Sequence, residues 1–222
     1  MLIYCQHERE NSENTNAGFG GNLTESGRSE SEAGFGYFSH KSNGTTSSGH
    51  GAVSGVTKCK NPIRLARILA EKNGQGTDLN GRVPPILIAG TPADQLAIQY
   101  GESSDSITIS KRSKRSYEKY SNMVGNLDDV GNKKIRLSSD TVGCVGGLAL
   151  SGEEFELVAG SSSGGLILKK NGRVGSAPAV GAGFAAVGNN AATCSGTGEQ
   201  IVLHGTAFGL YITLHQSCIS LL

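Results

Sequence analysis

The chain has 222 residues, 33 of them glycine, no tryptophan and a formal net charge of +1. That length holds one medium domain with a core of its own, and the near-neutral balance excludes general electrostatic steering, so any charge effect has to be local. The longest apolar runs fall far short of the ~20 residues that span a bilayer, and the glycine excess points to tight turns and close backbone approaches.

Residues 1–15 are polar and carry no periodic signal. The stretch from Asn16 to Leu23 sets Gly18, Gly20 and Gly21 around Phe19. It has neither the lysine of a P-loop nor the spacing of a dinucleotide fingerprint, so it reads as a turn that brings backbone close to another segment, with Asn16 as a candidate polar contact. Residues 29–49 are mostly Ser, Gly, Asn and Lys and read as loop. Asn61-Pro62 opens a helix, an N-cap residue followed by proline at the first helical position. Leu65, Ala66, Ile68 and Leu69 line one side of it, Arg64, Arg67, Glu71 and Lys72 the other, and Asn73-Gly74 ends it. Pro84 to Ala89 predicts a short strand, and Thr91-Pro92-Ala93-Asp94 caps a second helix that stops at Gly101.

Residues 102–139 change character. Lys111, Arg112, Lys114, Arg115, Lys119, Lys133, Lys134 and Arg136 stand among Ser, Asn and Asp, too little apolar area to offset the entropy of ordering, so a flexible basic linker is expected. The cluster from Lys111 to Arg115 reads as a solvated face, with a nuclear-import signal or a nucleic-acid contact as alternatives. Thr141 to Leu150 and Phe155 to Ser161 are β-rich and joined by Ser151-Gly152-Glu153-Glu154, which predicts a hairpin. Ala177 to Val187 and Ala191 to Cys194 add strand, Glu199 starts a helix through Tyr211, and residues 212–222 show no cap or turn pattern.

Cys5, Cys59, Cys144, Cys194 and Cys218 are odd in number and widely spaced, which predicts buried free thiols rather than a disulfide framework or a zinc site. The first ten residues lack an apolar segment with a small-residue cleavage site, so a cytoplasmic or nuclear location is expected. In that setting the glycosylation patterns at Asn22 and Asn43 are idle.

One ordered set of blocks carries chemistry: Asp140-Thr141-Val142-Gly143, Ser161-Ser162-Ser163-Gly164-Gly165, Gly172-Arg173-Val174-Gly175 and Cys194-Ser195-Gly196-Thr197-Gly198-Glu199. A threonine becomes a nucleophile without a neighbouring histidine when it is the first residue of a chain, because its own α-amine acts as the base. Thr141 therefore needs a cut before it. With Asn16-Ala17-Gly18, residues 51–55 followed by Asn61-Pro62, and residues 81–85, these blocks resemble the asparaginase-like branch of the N-terminal nucleophile hydrolases. That branch contains isoaspartyl peptidase/asparaginases, aspartylglucosaminidase and threonine aspartase (taspase), the last being the member most similar here.

The resemblance implies an α/β fold, a four-layer αββα sandwich incomplete at both ends of this chain. It implies a single domain over residues 1–222, with residues 14–140 as an alpha-subunit-like part and residues 141–222 as a beta-subunit-like part after cleavage between Asp140 and Thr141. It places the Ser163 hydroxyl against the nucleophile, Ser195 and the Gly196 N–H in the oxyanion hole, and Arg173 on the substrate carboxylate. Asparaginases carry an aspartate at the position of Ser176 to hold a free α-ammonium. The neutral residue here disfavours free asparagine and favours a peptide internal to a protein, cut after aspartate. The functions implied are a self-processing threonine endopeptidase, an isoaspartyl peptidase/asparaginase-type amidohydrolase, or a non-catalytic paralogue acting as a partner subunit. No cofactor, metal, nucleic acid or membrane is implied; the partners are Asp-containing proteins or peptides, with processed fragments assembled as a dimer of heterodimers.

Overall fold

A computed structural model describes residues 8–41, 43–104, 109–125, 145–149, 155–188 and 190–219. The strands are β1 (Ser31–His40), β2 (Thr46–Val56), β3 (Leu87–Ala89), β4 (Val145–Ala149), β5 (Phe155–Ser163), β6 (Phe184–Val187) and β7 (Asn190–Thr193). The helices are α1 (Pro62–Gly74), α2 (Thr91–Gln99), α3 (Lys111–Gly125), α4 (Gly198–His204) and α5 (Thr206–Ile219). Five strands form one mixed sheet in the order β3-β2-β1-β5-β4, parallel only between β2 and β3, and β6-β7 form a separate antiparallel pair.

Alternation along the strands sorts the two faces of the large sheet. Ala33, Phe35, Val53 and Val158 point to α1 and close a core with Ile63, Leu65, Ala66, Leu69 and Ala70. Phe184 and Ala186 cover Ala159 on the opposite face, and α5 packs on the far side of β6 and β7. The described elements thus stack as helix, sheet, sheet and helix, the mixed α/β architecture that the sequence motifs imply.

Two departures from the sequence reading have physical causes. Residues 29–49, expected as loop, hold β1 and the start of β2. Their glycines clear space on both faces. A Cβ on Gly49 would collide with the Ala70 carbonyl in α1, and one on Gly34 would stand 2.6 Å from the Ala177 carbonyl oxygen and collide with the Phe184 ring. These glycines are strand residues pressed by neighbours, so composition alone misreads them.

The second departure is α3, which occupies part of the expected linker. Ser110 caps it, its Oγ accepting from Ser113 N at 3.0 Å. Arg112 donates to the carbonyls of Glu13 and Gly20, the latter at 2.8 Å, and Tyr117 Oη donates to the Glu25 carbonyl at 3.3 Å. The basic side chains at 111, 114, 115 and 119 remain exposed, while Ser113 and Tyr120 are buried. Docking through backbone acceptors replaces the apolar area the segment lacks. The expected helix after Glu199 is two helices, broken at Gly205, whose φ of 54° and ψ of 44° are left-handed.

Candidate functional site

The site assembles at the end of β5, where Ser163 pairs with Glu32 on the face away from α1. Ser163 is buried, and its Oγ accepts from Gly165 N at 2.9 Å. Asn16 fixes the next turn. Its Nδ2 donates to the Gly165 carbonyl at 2.7 Å, its carbonyl accepts from Gly164 N at 2.9 Å, and its Oδ1 accepts from Asn22 N at 2.8 Å. A Cβ on Gly164 would stand 2.6 Å from Gly21 Cα. The close backbone approach expected from the Asn16 to Leu23 turn is therefore against the Ser163-Gly164-Gly165 turn.

Arg173 lies on the other side of Gly165. Its Nη1 and the Lys169 Nζ each stand 3.1 Å from where a Gly165 Cβ would be. The two cations are therefore within about 6 Å of each other, a repulsion of roughly 3 kcal/mol at an effective dielectric near 20. Two carboxylates offset it. Glu199 Oε1 accepts from Arg173 Nε at 2.9 Å and Nη2 at 2.6 Å. Glu32, buried, accepts from Gly175 N at 2.9 Å through Oε2. Burial pushes the Glu32 carboxyl up and the Lys169 ammonium down, and their mutual attraction opposes both shifts. The Arg173 hydrogen bonds hold Glu199 below the usual carboxylate range.

Ser176 and the Gly198 turn complete the cluster. A Cβ on Gly198 would lie 2.9 Å from Arg173 Nη2 and 3.1 Å from Ser176 N, so the block that ends in Glu199 packs against the block that holds Arg173. Ser176 is 1% exposed, and its Oγ has no hydrogen-bond partner among the described residues. Ser195 and Gly196 are exposed on the loop leading into α4. Asp140 and Thr141 lie outside the described residues, as do Cys5 and Cys144. Cys59 is buried and Cys194 partly so, both as free thiols, and burial pushes the Cys59 thiol up to about 12.

The structure thus gathers Asn16, Ser163 and Arg173 around the Gly164-Gly165 turn, with Ser176 beside Gly198 on the far side of Arg173. Two participants, Lys169 and Glu32, were given no role by the sequence, and a third, Glu199, only a place in a motif block and at a helix start. Lys169 is the first of two adjacent lysines after Leu166-Ile167-Leu168, and nothing local separates it, buried, from the exposed Lys170. Glu32, between Ser31 and Ala33, has its hydrogen-bond partner Gly175 N far along the chain, and Glu199 was visible as the end of its motif block, with its partner Arg173 26 residues before it. Among the described residues no group of three His, Cys, Asp or Glu is arranged to hold a metal, and no helix is long and apolar enough to cross a membrane.

On the other face of the sheet, Ser162 donates to Glu10 Oε1 at 2.5 Å, and Ile63 N donates to the same oxygen at 3.1 Å. Glu10 therefore caps α1 from fifty residues upstream, a task the sequence assigns to Asn61, whose side chain makes no capping bond. Burial pushes the Glu10 carboxyl up to about 8.

Residues 5–221 match the family model described as asparaginase. The plant-type L-asparaginase of Pyrococcus abyssi is 35% identical over 159 residues, 68% of this chain and 47% of that protein. That of Pyrococcus furiosus is 32% identical over 160 residues, again 68% and 47% of the two chains. The isoaspartyl peptidase of Escherichia coli is 29% identical over 173 residues, 77% of this chain and 50% of that protein. The chain spans about half the length of the curated relatives it matches. With the family model covering nearly every residue and the described blocks at Asn16, Ser163, Arg173 and Gly198 folded against one another, the chain belongs to the asparaginase family of N-terminal nucleophile hydrolases.

Proposed function

We propose that the chain carries the nucleophile and the carboxylate anchor of an amidohydrolase of the asparaginase and isoaspartyl-peptidase kind. The observation that supports this reading best is the setting of Arg173. Its guanidinium is 16% exposed, flanked by Gly165 and Gly198, and paired with a Glu199 carboxylate that is 54% exposed. A planar fork of this kind suits bidentate recognition of a carboxylate. A substrate carboxylate takes the place of the Glu199 oxygen, and the more exposed Glu199 side chain swings into water.

Thr141 supplies the chemistry in this proposal. Its hydroxyl attacks the Asp140 carbonyl carbon, the peptide C–N bond breaks, and the acyl group passes from nitrogen to oxygen. Water then opens the ester, leaving the Asp140 carboxylate and a chain that starts at Thr141. The freed α-amine, with a pKa of about 7.7 to 8.0 in model peptides, accepts the hydroxyl proton in each later turnover. Only three residues separate Thr141 from Val145, four Cα steps with a reach of at most about 14 Å, and Val145 pairs with Ser162 beside Ser163. Ser195 and the Gly196 N–H serve the developing oxyanion, where one donor is typically worth about 2.7 to 4 kcal/mol.

Ser176 favours a second reading, a threonine endopeptidase that cuts after aspartate. A free α-ammonium meets a buried hydroxyl at this position instead of a carboxylate, whereas an aspartate inside a polypeptide brings no ammonium. Three substrates separate the readings: L-asparagine, a β-aspartyl dipeptide, and a peptide with one internal aspartate. Turnover of the first two supports the amidohydrolase, and turnover of the internal peptide alone replaces it with the endopeptidase. Mass spectrometry tests the step both share. A fragment beginning at Thr141 is expected from the native chain and not from Thr141→Ala; the same fragment from both would remove Thr141 as the agent of cleavage.

A further inference from the structure

Arg173 owes its position to acidic residues at the start of β1. Gly172 N donates to Glu30 Oε2 at 2.8 Å, and Gly175 N donates to Glu32 Oε2 at 2.9 Å. The Gly172-Arg173-Val174-Gly175 turn is therefore strung between two carboxylates that come from one short segment. Glu32 is the inner of the two, buried beneath the turn, and a Cβ on Gly175 would stand 2.6 Å from Glu32 Oε1 and 2.7 Å from Arg173 Nη1. Lys169, also buried, donates through Nζ to the Glu30 carbonyl at 2.8 Å, and its charge attracts that of Glu32.

We propose that Glu32 is a positioning residue for the carboxylate anchor, holding the Gly175 N–H so that the Arg173 fork stands over Gly165, with Lys169 as its buried counter-ion. The proposal rests on the reading of Arg173 as the anchor. Two roles for Glu32 predict opposite signs. A carboxylate this close to an anion site repels the incoming substrate, so removing it should tighten binding if charge were its only contribution. If it positions the arginine, removing it weakens binding, because an unpinned guanidinium loses the geometry on which bidentate recognition depends.

The test is calorimetric binding of L-aspartate, with steady-state kinetics on whichever substrate the protein turns over. Glu32→Ala is expected to weaken aspartate binding by about ten-fold or more and to raise KM with kcat within about three-fold, the split expected when substrate affinity is lost and the chemical step is not. Glu32→Gln keeps an acceptor for Gly175 N and should bind aspartate within about three-fold of the native protein. Should Glu32→Ala fail to fold with Lys169 left unpaired, the Glu32→Ala/Lys169→Met double variant removes both buried charges and carries the same expectation. Unchanged or tighter binding in the alanine variant, with Arg173→Ala binding weakened, overturns the positioning role and leaves the anchor standing. Binding unchanged by Arg173→Ala overturns both.

Discussion

Glu10→Gln should change the pH dependence of stability by an amount the structure sets. Glu10 is fully buried under Ser162, and its carboxyl is raised from 4.5 to about 8. Between those values the unfolded chain has released the proton and the native chain retains it. The unfolded state then binds fewer protons, and stability falls as pH rises. Below the lower value the contribution is complete; above the upper one the loss is complete and the curve is flat again. At 1.36 kcal/mol per unit the full loss is about 5 kcal/mol, of which about 4 kcal/mol falls between about pH 5 and pH 9. Glutamine does not titrate, and its amide oxygen can still accept from Ile63 N and Ser162 Oγ. Its NH2 replaces an Oε2 that has no partner among the described residues. Urea unfolding of the native chain and the variant at several pH values isolates the effect as a difference. The variant should gain on the native chain by about 4 kcal/mol from about pH 5 to pH 9. Parallel curves over that range would falsify the argument, since Glu10 would then ionise as freely in the fold as in the unfolded chain.

Three further outcomes follow from the geometry. Gly34→Ala places a methyl against the Phe184 ring and the Ala177 carbonyl, so it should cost about 1 to 3 kcal/mol as overpacking; a melting temperature equal to the native one would show that the two sheets separate without penalty. Arg112→Ala removes the donor to the Glu13 and Gly20 carbonyls, and tryptic cleavage after Lys114 and Arg115 should accelerate several-fold while β1 and β2 stay protected from hydrogen exchange; unchanged proteolysis would mean that other contacts dock α3. Ser176→Asp adds a carboxylate beside Gly198, and under the endopeptidase reading it should raise turnover of free asparagine relative to an internal-aspartate peptide by about ten-fold. A ratio that stays constant would remove Ser176 as the determinant.

What could be read from the chain followed the range over which each interaction acts. α1 announces itself within thirteen residues, because Pro62 at the first turn and the stripe of Leu65, Ala66 and Leu69 are local signals. β4 and β5 show as β-rich runs in a hairpin arrangement for the same reason. β1 and β2 did not, because Gly34, Gly49 and Gly51 are dictated by Phe184, Ala70 and Leu69, which are distant in sequence. α3 failed from the opposite direction: its composition lacks apolar area, and its docking is made by one arginine and one tyrosine on carbonyls about ninety residues away. In the site, the motif blocks identified Asn16, Ser163, Arg173 and Ser176. Glu32 and Lys169 went unread, since two buried charges that attract from positions 137 residues apart leave no local pattern.

β5 ends in two serines that face opposite sides of the sheet, and each side presents a buried glutamate. Ser162 donates to Glu10 on the α1 face, and Ser163 is paired along the strand with Glu32 on the other. A carboxylate removed from water costs stability unless it is paired. Glu32 meets this cost with Lys169 and the Gly175 N–H, and Glu10 meets it by holding its proton. The first solution places an acceptor beneath the Arg173 turn, where the Gly175 N–H needs one. The second keeps charge away from the α1 face, where Ser162 needs only an acceptor. The same strand end is thus held by two buried acids whose burial is met in different ways. Ionisation of Glu10 strengthens the bonds it accepts from Ser162 and Ile63 N but leaves an uncompensated charge in the core, so the cost falls on burial under the α1 face and not on the Ser162 contact.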